Sequence, residues 1–113
     1  MNQYLLTVCY PPNSPMPDMA EMQKIMKNVG DVRAEMQKAG VWVFGGGLEN
    51  EKARIVATDG TVADGPYPEA IGGLCVVDVP SREDALEWAA KIAVACRCAQ
   101  EVREFMPDPT VGN

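Results

Sequence analysis

Asp59-Gly60-Thr61-Val62-Ala63-Asp64-Gly65-Pro66-Tyr67-Pro68-Glu69-Ala70-Ile71-Gly72-Gly73-Leu74-Cys75-Val76-Val77-Asp78-Val79-Pro80-Ser81-Arg82-Glu83-Asp84-Ala85-Leu86-Glu87-Trp88 is the stretch that decides the fold. Asp64-Gly65-Pro66-Tyr67 has turn chemistry, with Gly and Pro restricting the backbone in opposite ways. Leu74–Val79 follows as an apolar strand that Pro80 stops. Ser81 then caps a helix, with Asp84 at its N3 position. Apolar residues at 85, 86, 88, 89, 92, 93 and 96 mark the expected buried face of that helix. Ala99 to Met106 reads as a final strand.

Upstream, Tyr4 to Tyr10 is an apolar, strand-forming run. The proline-rich Pro11 to Pro17 reads as a loop. Asp18 has the position of a helix N-cap with Glu21 three residues on, and Gly40 that of the C-cap. Between them, residues 19, 22, 25, 26, 29, 32 and 36 repeat with helical period. The methionines among them read as a flexible core face rather than a binding groove. Val41 to Phe44 is a second strand. The glycine triplet Gly45-Gly46-Gly47 lacks the lysine and helix of a phosphate loop, so it signals a bulge or a close approach of backbones. Arg54 to Ala57 and Thr61 to Ala63 make a hairpin about Asp59-Gly60.

Strand, helix, strand, hairpin, strand, helix, strand is the order of an α+β, ferredoxin-like sheet with both helices on one face. Tyr4, Leu6, Val8 and Tyr10 point one way from the first strand, and Leu5, Thr7 and Cys9 the other. Trp42 and Phe44 oppose Val41 and Val43. Cys75, Val77 and Val79 oppose Leu74, Val76 and Asp78. Strands apolar on both faces need cover on both. Two helices cover one, which leaves roughly several hundred Å² of apolar surface, more than a soluble monomer usually shows. The expectation is a homodimer through the second face, a barrel-like pair of sheets with a cavity between them.

The chain has 113 residues, which suits one domain. We expect it to span 1–107, with 108–113 a flexible tail. The net charge is −6 with no basic cluster, which disfavours nucleic acid and anionic membranes as partners. Met1-Asn2-Gln3-Tyr4 lacks the basic start of a signal peptide, and no run approaches the roughly 20 apolar residues of a membrane span, so a cytoplasmic protein is expected. There are four cysteines and no histidine. Cys9 and Cys75 sit in strand-like runs as small core residues. Cys96-Arg97-Cys98 has the wrong spacing for a zinc or redox pair, and no metal or other cofactor is expected.

The stretch from Thr61 to Ala90 resembles the DGPF-domain proteins, a branch of the YCII-related superfamily. Asp64-Gly65-Pro66, Gly72-Gly73, Asp78-Val79-Pro80-Ser81 and Asp84-Ala85-Leu86-Glu87-Trp88-Ala89-Ala90 carry the resemblance, and Glu101-Val102-Arg103 is similar to that family's last strand. The resemblance implies a dimeric α/β-barrel of ferredoxin-like protomers. Relatives include lyase- and isomerase-like enzymes, among them a dehydrochlorinase, and some carry a His–Asp pair proposed as catalytic. Tyr67 stands where the motif has Phe, and the histidine position falls near Val29. His-based acid–base chemistry is therefore out of reach.

Without histidine, proton transfer falls to carboxylates, tyrosines and thiols. Asp64 is either a turn-capping residue or a site residue. Asp78 lies in an apolar strand, either as a pocket base or as that strand's last polar residue. Tyr10, Trp42 and Tyr67 can line a pocket or pack a core. Arg54, Arg97 and Arg103 can clamp a carboxylate or make ordinary ion pairs. Three readings follow. One is a homodimeric binding or accessory protein with its ligand between the sheets. Another is an enzyme using a carboxylate base, with Asp78 or Asp64 catalytic and Tyr10, Trp42, Arg54, Tyr67 and Arg103 binding a small carboxylate or aromatic substrate. The third is a purely structural dimerisation module.

Overall fold

The computed structural model describes residues 2–9, 17–49, 51–66 and 71–107. Its elements are β1 (Asn2–Cys9), α1 (Met19–Ala39), β2 (Trp42–Gly47), β3 (Arg54–Val56), β4 (Val62–Asp64), β5 (Ile71–Val79), α2 (Arg82–Cys96) and β6 (Ala99–Glu104). Four strands form one antiparallel sheet in the order β2-β5-β1-β6, the ferredoxin-like arrangement. β3 and β4 form a separate two-stranded hairpin.

Both helices begin and end where local chemistry tells them to. The Asp18 carboxylate accepts the Glu21 amide at 2.8 Å. Ser81 Oγ accepts the Asp84 amide at 3.2 Å. Gly40, at φ 77°, takes the left-handed turn that lets the Val41 amide reach the Met36 carbonyl at 3.1 Å. Arg97 closes α2 in the same left-handed conformation, without glycine's freedom.

One face of the sheet packs under the helices. Tyr4 and Leu6 from β1 meet Cys75, Val77 and Val79 from β5, covered by Val32 and Met36 of α1 and by Ala85, Ala89, Ile92 and Ala95 of α2. The alternation expected of β1 and β5 is thus observed. On the helices the buried stripe is shorter than the periodicity suggests. Met36 is fully buried, but Met19 is 79% and Met26 67% exposed. The first turns of α1 carry an apolar stripe that nothing among the described residues covers. On α2, Leu86 faces out and Ala95 faces in.

The glycine triplet is both a bulge and a close approach. β2 runs on through Gly47, and its register against β5 slips between Trp42 and Phe44. Trp42 pairs with Val77 on the helix side, whereas Phe44 pairs with Val76 on the other. The expectation that these two aromatics share a face is corrected by this extra residue, which reverses the alternation beyond it. Trp42 packs against the core, and Phe44 stands 60% exposed on the open face. A Cβ on Gly45 would lie 2.5 Å from Cys75 Cβ and 2.6 Å from the Leu74 carbonyl oxygen. Gly45→Ala therefore has to push β2 away from β5. We expect it to lower unfolding free energy by about 1–3 kcal/mol, the usual cost of overpacking. Gly46→Ala, with nothing within 4 Å of its Cβ position, is the matched control in the same chemical denaturation experiment.

Candidate functional site

The sheet face away from the helices carries the candidate site. Strand register lays it out in rows. Gln3 pairs with Asp78, and the Phe105 amide donates to the Gln3 carbonyl at 3.0 Å. In the next row Arg103, Leu5, Val76 and Phe44 lie side by side across β6, β1, β5 and β2. The row after that is Glu101, Thr7, Leu74 and Gly46. The centre of the face is therefore apolar, with polar groups set into it and an ion pair on its β6 edge.

Two of those polar groups lack what burial requires. Thr7 is only 5% exposed, yet its hydroxyl has no hydrogen-bond partner among the described residues. Asp78 is half-buried, its amide donates to the Val41 carbonyl at 2.8 Å, and its carboxylate Oδ1 is buried without a partner. A buried acceptor without a donor costs on the order of 1–3 kcal/mol, more for a charged group. In native structures such a group is met by a water, an ion or a ligand, or serves a strained or catalytic role. Thr7 was not singled out from sequence, although a lone hydroxyl in Tyr-Leu-Leu-Thr-Val-Cys-Tyr is a visible signal.

Arg103 joins this face at its edge, with Nε 3.3 Å from Glu101 Oε1 and both side chains exposed. Strand spacing sets its Cα about 12 Å from that of Asp78. The two can hold opposite ends of a small ligand, since an arginine side chain bridges about half of that distance.

The other expected site residues lie elsewhere. Asp64 and Arg54 face each other across the β3–β4 hairpin, Nε to Oδ1 3.6 Å, and Asp64 is 92% exposed. The turn that Asp64 was expected to cap continues into residues outside the described ones, while in the preceding hairpin turn the capping carboxylate is that of Asp59. Its carboxylate accepts the Thr61 amide at 2.9 Å and the Thr61 hydroxyl at 2.7 Å. The loop is also longer than an Asp-Gly two-residue turn. The Gly60 amide donates to the Ala57 carbonyl, and Gly60 takes φ 89°, the pattern of a three-residue loop with a glycine bulge. Trp42 is on the helix side, as described above. Tyr10 and Tyr67, and the tail at 108–113, lie outside the described residues.

The cysteines divide by face. Burial pushes the Cys75 thiol up to about 11, so it is a core residue and not a nucleophile. Cys9 is half-buried on the open face, its thiol near the Thr7 carbonyl at 3.7 Å. Among the described residues no group of three or more Cys, Asp and Glu is arranged to hold a metal ion. No described helix is long and apolar enough to cross a membrane. Two depressions, of about 570 and 510 Å³, lie on the helix layer, one along Met19, Met22 and Met26 and one between α1 and α2. Neither contains an unpartnered polar group, and a flat sheet face encloses a cavity only once a second surface covers it.

The sequence profile of the YCII-related domain matches residues 3–107. No curated protein matches the chain.

The hairpin turn offers a check on the Asp59 assignment. The bonds from Thr61 hold the Asp59 carboxyl below its ordinary 3.8. A carboxyl lowered by folding stabilises the fold above its unfolded value and loses that contribution as pH falls through the folded one. The Thr61 amide resonance should therefore titrate with a midpoint below 3.8. Asp59→Ala should abolish that titration while Asp64→Ala leaves it in place. A Thr61 midpoint at or above the ordinary value would contradict the assignment.

Proposed function

The chain belongs to the YCII-related family, and on that premise we propose that it is a homodimeric small-molecule-binding protein whose ligand lies between two open sheet faces. We place it in the DGPF branch on the strength of Asp64-Gly65-Pro66, Gly72-Gly73 and the Asp78–Ala90 run. The observation that carries the proposal is the pairing of an apolar, uncovered sheet face with two buried oxygens that have no donor. Leu5, Leu74 and Phe44 give an apolar body somewhere to lie, Arg103 takes a carboxylate, and Asp78 accepts a hydrogen bond from the far end. A small aromatic or branched carboxylate with a hydroxyl or amine at its far end has that chemistry. A second sheet, at the roughly 10 Å of face-to-face packing, closes the space and strengthens each polar contact by excluding water.

The orphaned Asp78 oxygen also favours a second reading, an enzyme in which Asp78 removes a proton from the same small carboxylate. Asp64 is less suited to that role, being solvated and paired with Arg54 on the hairpin.

Sedimentation at micromolar concentration should give twice the chain mass. A monomer with intact secondary structure would sink the dimer reading. 4-Hydroxybenzoate, whose phenol can donate to Asp78 while its carboxylate meets Arg103, should shift the resonances of Leu74, Val76 and Arg103 when titrated against the protein. Asp78→Asn should weaken its binding by about tenfold or more, the loss of a charge-assisted hydrogen bond, without lowering thermal stability. Binding unchanged by Asp78→Asn would remove Asp78 from the site.

A further inference from the structure

We propose that the β3–β4 hairpin is an arm that docks on the β6 edge of a second copy of this chain, setting Arg54 against the partner's Glu101. This rests on the dimer proposed above and adds to it a contact that completes the ligand site from the other protomer.

The hairpin cannot account for itself. Each of its strands has three residues, and a two-stranded hairpin is at best marginally stable alone. Neither strand approaches any other described helix or strand. Val56 and Val62 face each other across it and remain 66% and 64% exposed. The radius of gyration is 15.5 Å, whereas about 13 Å is usual for a compact chain of this length. The chain is 42 by 39 Å across and only 17 Å thick. An element standing off the body changes the dimensions in that direction.

Where the arm is rooted decides where it can reach. β2 ends at Gly47 beside Gly73, and the Leu48 amide still donates to the Gly72 carbonyl at 3.0 Å. The hairpin thus leaves from the β2 edge of the open face. Two open faces meet only about a two-fold axis lying between them in the plane of the sheets. If that axis runs along the strands, the β2 edge of one protomer lies over the β6 edge of its partner. Identical chains then satisfy two deficits reciprocally, an uncovered face and an uncovered hairpin.

The charges match this arrangement. The hairpin carries Arg54 and Asp64, and the β6 edge carries Arg103 and Glu101, each pair half or more exposed. Within one protomer Glu101 occupies Arg103. When Arg54 engages the partner's Glu101, that Arg103 is released toward the open face, where a ligand carboxylate can take it. The arm thereby links dimer closure to the anion site.

Two charge reversals test the contact. Arg54→Glu and Glu101→Arg each put like charges together twice in a homodimer. Each should raise the dimer dissociation constant by about tenfold or more at low salt, with the fold intact because both positions are exposed. An equimolar mixture of the two variants forms a heterodimer in which both contacts pair opposite charges, so association should return to within about threefold of the wild type. Rescue on mixing supports the arm, since a contact within one chain gains nothing from a second variant. A wild-type dimer with unaffected variants, or with weakened variants that mixing does not rescue, overturns the arm and leaves the dimer standing. A wild type that sediments as a monomer removes both.

Discussion

A four-stranded sheet with apolar side chains on both faces and helices on one is the constraint from which the rest of this structure follows. Tyr4, Leu6, Val77 and Val79 are buried because two helices lie over them. Their neighbours Leu5 and Leu74 are chemically equivalent and share the same strands, yet stay only half-buried, and Val76 beside them is buried without joining the helix-side core. Period-2 alternation would allow polar residues at these positions, as in sheets with one solvated face, but here they are apolar. A strand cannot be made apolar on one face by moving a single residue, since any slip exchanges the two faces wholesale. The open face is therefore a property encoded along whole strands. That is why it is a stronger pointer to function than scattered exposed side chains such as Val94.

The same constraint explains how the glycines are used. Gly45 lets β2 lie against Cys75 on the helix side, where a side chain would collide. Gly46, paired with Leu74 on the open side, leaves that row without bulk. Between Trp42 and Phe44 the register slips, so one aromatic closes the core and the other walls the open face. Without the slip, both would point the same way and one face would lose its aromatic. A bulge is a way of re-aiming a side chain, and here it serves both layers at once.

The elements most legible in the sequence are those fixed by local chemistry. Asp18, Gly40 and Ser81 announce the helix ends because a cap needs only its own neighbours. The alternation of β1 and β5 is equally plain, and it places Asp78 on the side of Leu74 and Val76. What sequence does not carry is which surface meets which. The slip in β2 arises only when that strand pairs with β5, so Trp42 and Phe44, expected on one face, lie on opposite ones. The methionines of α1 repeat with perfect helical spacing, but periodicity specifies a face and not its cover, and Met19 and Met26 stay out. Asp59 caps the hairpin turn through Thr61, a contact that needs only a neighbour two residues on. Arg103 reaches the neighbourhood of Asp78 only through the strand order β5-β1-β6, which no local pattern encodes.

Asp78 shows how binding and assembly become one problem. In the single protomer its Oδ1 already lacks a partner, while the residue as a whole keeps some access to water. Closing a second sheet over it removes that water and turns a moderate penalty into a large one, because a carboxylate is far costlier to bury unpaired than a hydroxyl. The residue in register with it on β1, Gln3, does not donate to it. A ligand that brings its own donor relieves the cost, and it relieves most when the sheets are closed. On the reading proposed here, the ligand therefore binds the dimer more tightly than the protomer, and by linkage it must strengthen the dimer by the same factor. Thr7 works in the same direction from the row beyond Arg103, with a smaller stake because its hydroxyl is neutral. The polar groups that make the empty face expensive are those that would make the filled one specific.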